Sequence, residues 1–174
     1  LSENLRKICE DACIAAKRHG VRVSCDLNYR KTLWSVEEAQ AAMKPLMAYV
    51  DVLIANEEDA EKSLGIKAEN TDVTQGKLSV EGYQALAERL AAQYNCAMVA
   101  FTLRESISAS VNNWSALLYS GGKAYRSKKY TMQIVDRVGG GDSFASGLIY
   151  ACLNGYSDQD IVEFAAGASC LKHS

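Results

Sequence analysis

Apolar residues recur along this chain in two alternating periods. Leu5, Ile8, Ala12 and Ala15 stand three and four apart and put an apolar stripe on a helix over 3–18. Lys17, Arg18 and His19 suit its negative end, and Gly20 closes it. The period then drops to two, and Val21, Val23 and Cys25 predict a short strand ending in Asp26. Ser35 with Glu38 forms a capping box for a helix to about Tyr49, and VDVLIA (50–55) is an apolar strand ending in Asn56, where another helix begins. The polar stretch IKAENTDVTQGKL (66–78) reads as a surface loop before a helix built on Tyr83, Leu86, Leu90 and Tyr94. CAMVAF (96–101) follows as a strand ending in Thr102. Residues 107–111, 114–119 and 122–127 read as short antiparallel strands, with Gly121 and Gly122 in a hairpin turn. The remainder is helical, over 141–153 and then from a Ser157 cap to Leu171.

Strands alternating with helices predict an α/β fold: a three-layer, mostly parallel sheet with helices on both faces. Ligands of such sheets bind outside the carboxyl ends of the strands. Asp26, Asn56 and Thr102 each follow an apolar strand directly, so three crossovers deliver polar groups to one sheet edge.

Composition narrows the classes. The 174 residues, 48% of them hydrophobic, suffice for one domain with a buried core. A net charge of −2 with scattered basic residues lacks the footprint of a nucleic-acid binder. No run approaches the roughly 20 apolar residues that span a bilayer, and LSENLRKICED has no signal-peptide core, so a cytoplasmic location and no membrane partner are expected. A start at Leu1 and a stop as the last helix finishes predict an excised piece of a longer chain, and one proline with no repeat argues against an internal linker. Six dispersed cysteines (Cys9, Cys13, Cys25, Cys96, Cys152 and Cys170) are expected to be reduced. Cys9 and Cys13 stand at i, i+4, but neither His19 nor His173 lies at ligand spacing, which disfavours a metal–thiolate site.

The chemistry concentrates in IVDRVGGGDSFASGLIY (134–150). A dinucleotide fingerprint read from Gly139 ends on Phe144, and a P-loop would need Gly-Lys-Ser/Thr where Gly141-Asp142-Ser143 stands. The physics of anion binding still holds, because N–H groups at a helix start attract anions and glycines let them approach. A carboxylate among them repels phosphate unless it has its own task, such as taking the proton of the attacking nucleophile.

D-R-V-G-G-G-D-S-F (136–144) resembles the D-T-x-G-A-G-D-x-F signature of the ribokinase-like, phosphofructokinase-B type carbohydrate kinases. S-C-D-L-N-Y-R-K-T-L-W (24–34) is similar to the D-x-N-x-R-x-x-L-W stretch of the 2-keto-3-deoxygluconate kinases within that family, and N-E-E-D (56–59) follows at the family's spacing. The resemblance implies that residues 1–174 form the C-terminal, nucleotide-binding half of a ribokinase-like domain, with the N-terminal part and lid outside this chain. It implies ATP and Mg²⁺ as cofactors, a sugar acid as substrate, and association with further copies as an option. Asp142 matches the catalytic base, and the N–H groups of Gly139, Gly140, Gly141 and Asp142 match the anion hole. Arg30, with Asn28 and Tyr29, matches the segment between ATP phosphates and substrate. Asn56 matches the start of the motif that organises Mg²⁺; its fourth position is Asp59, not Glu, so Glu58 is a candidate to share an indirect metal role. Thr102 to Asn112 corresponds to the nucleotide loop, without the family's glycines. Arg137 and Val138 depart from the common Thr-Thr, outside the anion hole.

The implied reaction is ATP-dependent phosphorylation of 2-keto-3-deoxygluconate to its 6-phosphate, and the fragment alone is expected to be inactive. The alternatives are a related kinase for a neutral sugar such as fructose, or a non-catalytic nucleotide-binding module, which would have no need of Asp142. A nicotinamide dehydrogenase is disfavoured by the failed fingerprint. Simpler roles stand beside these: Gly139 to Gly141 as a plain turn, Arg30 as a solvated arginine, Asn56 as a helix cap, Trp34 and Trp114 as packing residues without a ligand.

Overall fold

A computed structural model describes residues 2–67 and 80–174 of the chain, so most of the stretch read as a loop over 66–78 lies outside the described residues. Helix α1 (Glu3–Arg18) leads to β1 (Ser24–Asp26), α2 (Val36–Leu46) with a 3₁₀ turn (Met47–Tyr49), β2 (Val52–Ala55) and α3 (Glu57–Leu64). Then come α4 (Val80–Tyr94), β3 (Met98–Ser106), β4 (Val111–Ser120), β5 (Lys123–Arg126), β6 (Tyr130–Gln133), α5 (Gly140–Leu153) and α6 (Asp158–His173).

The strands form one sheet in the order β1-β2-β3-β4-β5, with β6 on the same side of β4 as β5. The expected α/β layering is present, and the parallel part is confined to β1, β2 and β3, where Ser24 faces Val52 and Val52 faces Met98. β3 and β4 run antiparallel from Met98↔Ser120 to Ser106↔Asn112. β6 pairs with residues 111–114 of β4 and β5 with residues 117–120.

Strand alternation sends side chains to two cores. Leu53, Ala55, Val99, Phe101 and Leu117 pack with Leu64 of α3 and Leu86 and Leu90 of α4. Val52, Ile54, Ala100, Ala116 and Leu118 pack with Phe144 and Leu148 of α5 and Ile161, Val162 and Ala165 of α6. Gly147 lets α5 and α6 approach, since a Cβ there would stand 3.1 Å from both Ala165 Cα and Ala168 Cβ.

Helix α1 buries none of its residues, and Leu5 and Ile8 of its apolar stripe are 50% and 60% exposed. It is tied down by polar contacts. Lys17 Nζ reaches Asp51 Oδ1 at 2.5 Å, while Asp51 Oδ2 accepts from Val23 N at 2.8 Å. Pro45 has no N–H for the carbonyl of Ala41 four residues back, and Arg6 donates to that carbonyl at 3.3 Å.

Several expected boundaries move. β3 continues past Thr102 to Ser106, residues 107–110 form the turn that was read as strand, and β4 begins at Val111. Thr102 is therefore inside a strand, and the stretch matched to a nucleotide loop is the distal end of a hairpin. β1 starts only at Ser24, and β6 was not expected.

Candidate active site

The first wall of the site is built where β1 and β2 end. Asp26 Oδ1 accepts from Asn28 N at 3.2 Å as Asn28 takes a left-handed φ of 37°, a conformation asparagine tolerates well among non-glycine residues. Tyr29 N then donates to Asp59 Oδ1 at 2.9 Å. Asn56 caps α3 in a reciprocal box: its Oδ1 accepts from Asp59 N at 2.8 Å, and Asp59 Oδ2 accepts from Asn56 N at 3.4 Å. Asn56 is thus the helix cap its position suggests, and Asp59 binds the two strand ends together.

Asp59 is 7% exposed, and burial pushes its carboxyl up to about 6, against the lowering pull of the Tyr29 and Asn56 N–H groups; Asp26 adds to the rise and Arg30 opposes it. Asp26 is raised as well, chiefly by burial, with the Asn28 N–H lowering it and the charge of Asp142 raising it. Asp26 is thus close enough for its charge to act on Asp59 and for that of Asp142 to act on it.

The second wall is the start of α5. Gly139 is its N-cap at φ 78°, and no side chain caps the helix. Only glycine takes that backbone cheaply. Among the described residues no capping side chain takes the first N–H groups of the helix, the condition for an anion site. Asp142 lies exposed in the first turn, close enough to Asp26 for the two charges to interact.

Between the walls lies a cavity of about 200 Å³. It brings together Asn28, Arg30, Asn56, Asp59, Thr102 and Gly141, along with Asp26. Tyr29, Gly139, Gly140 and Asp142 are not in its lining: Tyr29 braces the loop, Gly140 is buried behind it, and Asp142 stands outside the wall. Glu58 is exposed and is not in the cavity lining.

The third wall was legible only in part: Arg104 and Asn112 fall in the stretch matched to the nucleotide loop, whereas Trp114, Met132, Arg137 and His173 were given no site role. Arg104, Asn112, Trp114, Met132, Arg137 and His173 also line the cavity. Trp114 packs with Met132 and Cys170 and also lines the cavity, and Arg137, set outside the anion hole by its position in the motif, belongs to the wall, with one Nη bonded to Ala109 O at 2.9 Å. Asn112 is fully buried, and among the described residues neither of its amide atoms nor the Trp114 indole N–H has a hydrogen-bond partner. The local signals were the match of 102–112 to the nucleotide loop and a polar Asn112 beside an apolar strand; the contacts themselves arise from β3–β4–β6 pairing.

The donor set sets limits on a metal. No group of three or more His, Cys, Asp or Glu residues gathers to hold one among the described residues. Both Asp59 oxygens and the Asn56 carbonyl oxygen already accept backbone N–H groups. The residues fit a Mg²⁺ ion carried mainly by phosphates and water, with Asp26, Asn56 and Asp59 around it, and do not form an all-protein cage. All six cysteines are free thiols, and burial raises Cys25 to about 12 and Cys96 and Cys170 to about 11, so none of those three is primed as a nucleophile.

A mixed sheet layered between helices, with an uncapped glycine helix start facing strand-end carboxylates, defines an α/β domain of ribokinase-like type. The chain belongs to the pfkB family of carbohydrate kinases, whose family model matches residues 1–174. It is 28% identical over its whole length to a 2-dehydro-3-deoxygalactonokinase of Haloferax volcanii, covering 48% of that protein. The crystal structure of 2-dehydro-3-deoxygluconokinase from Thermotoga maritima superposes on the whole chain with a TM-score of 0.93 at 53% identity, and 52% of that structure is covered. An E. coli protein assigned as a ribokinase II, solved with ATP and Mg²⁺, shares the fold at 17% identity, a TM-score of 0.71 and 49% coverage of its chain, against 99% of this one. The chain thus spans about half the length of the relatives it matches. Among its described residues no helix is long and apolar enough to cross a membrane.

Proposed function

We propose that this chain forms the nucleotide-binding half of an ATP-dependent sugar kinase that converts 2-keto-3-deoxygluconate to its 6-phosphate. The observation that carries the reading is the uncapped start of α5 at Gly139, opening beside a cavity lined by Arg30 and Asp26, with Asp142 in the same first turn. The sugar hydroxyl attacks the terminal phosphorus of ATP, the bond from that phosphorus to the bridging oxygen of ADP breaks, and Asp142 takes the hydroxyl proton. The N–H groups of Gly139 to Asp142 hold the oxygens of the transferring group, where charge must be stabilised without reorganisation. Mg²⁺, when bound, offsets phosphate charge. Asn28, Tyr29 and Arg30 order the loop between nucleotide and sugar, Asn56 and Asp59 keep the two strand ends in register, and Thr102 lines the nucleotide side.

Arg30, Arg104 and Arg137 all line the cavity, and that excess of guanidinium supports an anionic sugar in addition to the phosphates. The unbonded amide of Asn112 and indole N–H of Trp114 support a polar occupant. The test is ADP release by an enzyme with the complete family domain, offered 2-keto-3-deoxygluconate, fructose and ribose. Highest kcat/KM on the acidic sugar is expected; preference for a neutral sugar would overturn the substrate, and no ADP release on any sugar would overturn the kinase reading.

A further inference from the structure

The three glycines of the loop are glycines for three different reasons. Gly139 needs its positive φ of 78°. Gly141 has open space where a Cβ would stand and lines the cavity. Gly140 has neither property. A Cβ on it would lie 2.0 Å from Nε2, 2.3 Å from Cε1 and 2.9 Å from Cδ2 of His173, so the imidazole occupies the place of a side chain at position 140. The signature that this loop resembles carries alanine there.

His173 ends α6 and is 7% exposed. Its Nδ1 lies 2.9 Å from the Asp136 carbonyl oxygen; a carbonyl can only accept, so Nδ1 carries the proton and Nε2 is turned to Gly140. Trp114 meets the ring edge-to-face, with 5.2 Å between centroids. The same end of α6 grips the loop elsewhere: the His173 carbonyl accepts from Val135 N at 2.8 Å, Lys172 Nζ bonds Asp136 Oδ2 at 2.9 Å, and the fully buried Ser169 donates to the Gly140 carbonyl at 2.8 Å. The Gly140 C=O and the Gly141 N–H share one trans peptide and point in opposite directions. Holding the carbonyl against α6 therefore aims the next N–H away from α6, and Gly141 lines the cavity.

We propose that His173 is a positioning residue of the phosphoryl site: its ring stands in for a side chain at position 140 and, with Ser169, fixes the aim of the Gly141 N–H and the placement of Asp142. This rests on reading residues 139–142 as the phosphoryl site.

The test is a double-mutant cycle on an enzyme with the complete family domain. It compares Gly140→Ala, His173→Ala and the pair, at a temperature where circular dichroism shows every variant folded. Gly140→Ala is expected to lower kcat about 10- to 100-fold with KM for the sugar changed less than about threefold, as befits lost transition-state contacts. His173→Ala is expected to lower kcat about 5- to 30-fold. The double variant is expected to regain at least about tenfold over Gly140→Ala alone, because the new methyl enters the space the ring leaves. His173→Asn, which keeps a donor for the Asp136 carbonyl but not the ring, is expected to stay impaired. Additive losses in the pair, an innocuous Gly140→Ala, or a His173→Ala that lowers only the melting temperature would each overturn the proposal. If the wild type phosphorylates no sugar, the kinase reading falls separately, and the same cycle read in ATP affinity decides whether ring and glycine are coupled.

Discussion

Asp142 and Asp59 are both carboxylates of the same site, and their surroundings divide the labour between them. Asp142, the proposed base, is exposed in the first turn of α5, whereas Asp59 is buried with both oxygens taken by backbone N–H groups. Asp142→Asn should therefore lower kcat by roughly 10²–10⁴ while ATP affinity changes little, because a base acts on proton transfer and not on ground-state binding. Turnover near that of the wild type, measured by coupled ADP release, would remove Asp142 from that role. Asp59 makes a different prediction. Its folded value of about 6 lies above the ordinary 3.8, so the folded state holds the proton more tightly than the unfolded chain. Stability from this group is fully present below about 3.8 and is lost as pH rises through about 6, up to about 3 kcal/mol in all. Thermal unfolding followed from pH 4 to 7 should show a larger relative loss for the wild type than for Asp59→Asn. Parallel curves would mean that Asp59 does not titrate in that window.

At the scale of elements, the close pairing of α5 and α6 carries the site, because α5 supplies the glycine start and α6 holds it from behind. At Gly147 a Cβ would press on Ala165 and Ala168 of α6. Gly147→Val should separate the two helices and destabilise the fold by about 1–3 kcal/mol, the usual cost of overpacking, with a lower denaturation midpoint as the readout. An unchanged midpoint would show that the pair can slide apart freely. The same scale explains what could be read in advance. Ser35 with Glu38, the strand 52–55 and the Ser157 cap were legible because each is a local pattern that local physics enforces. The strand-end residues Asp26 and Asn56 were legible for the same reason. Residues 103–106 and β6 were not, since Leu-Arg-Glu-Ser is mostly polar and the alternation of Tyr-Thr-Met-Gln is only four residues long, so both depend on pairing with β4. His173 lies 33 residues beyond Gly140 and reaches it through helix packing, which no spacing rule announces.

At the scale of the molecule, β1 stands at the end of the sheet with its outer edge unpaired among the described residues. Beside it, Ile149 and Leu153 of α5 are 37% and 72% exposed, and the apolar stripe of α1 is uncovered too. An open edge next to bare apolar side chains favours association. The 174-residue chain by itself should sediment as oligomers at tens of micromolar, and a sharp monomer there would show that this surface is benign. The chain by itself should also be a poor catalyst, as it spans only about half of its relatives' length. The long β3–β4 hairpin has a consequence of another kind. Because Arg104 and Asn112 sit on the same ladder that runs through Ala100 and Phe101 in the core, one cavity wall is continuous with the sheet. Those backbone amides of 103–106 that bond across to β4 should then trade their hydrogens for deuterium more slowly than the amides at the hairpin's tip. A nucleotide arriving at that wall would meet a surface already set in place, and its binding should alter deuterium uptake far less there than in the Asn28–Arg30 loop.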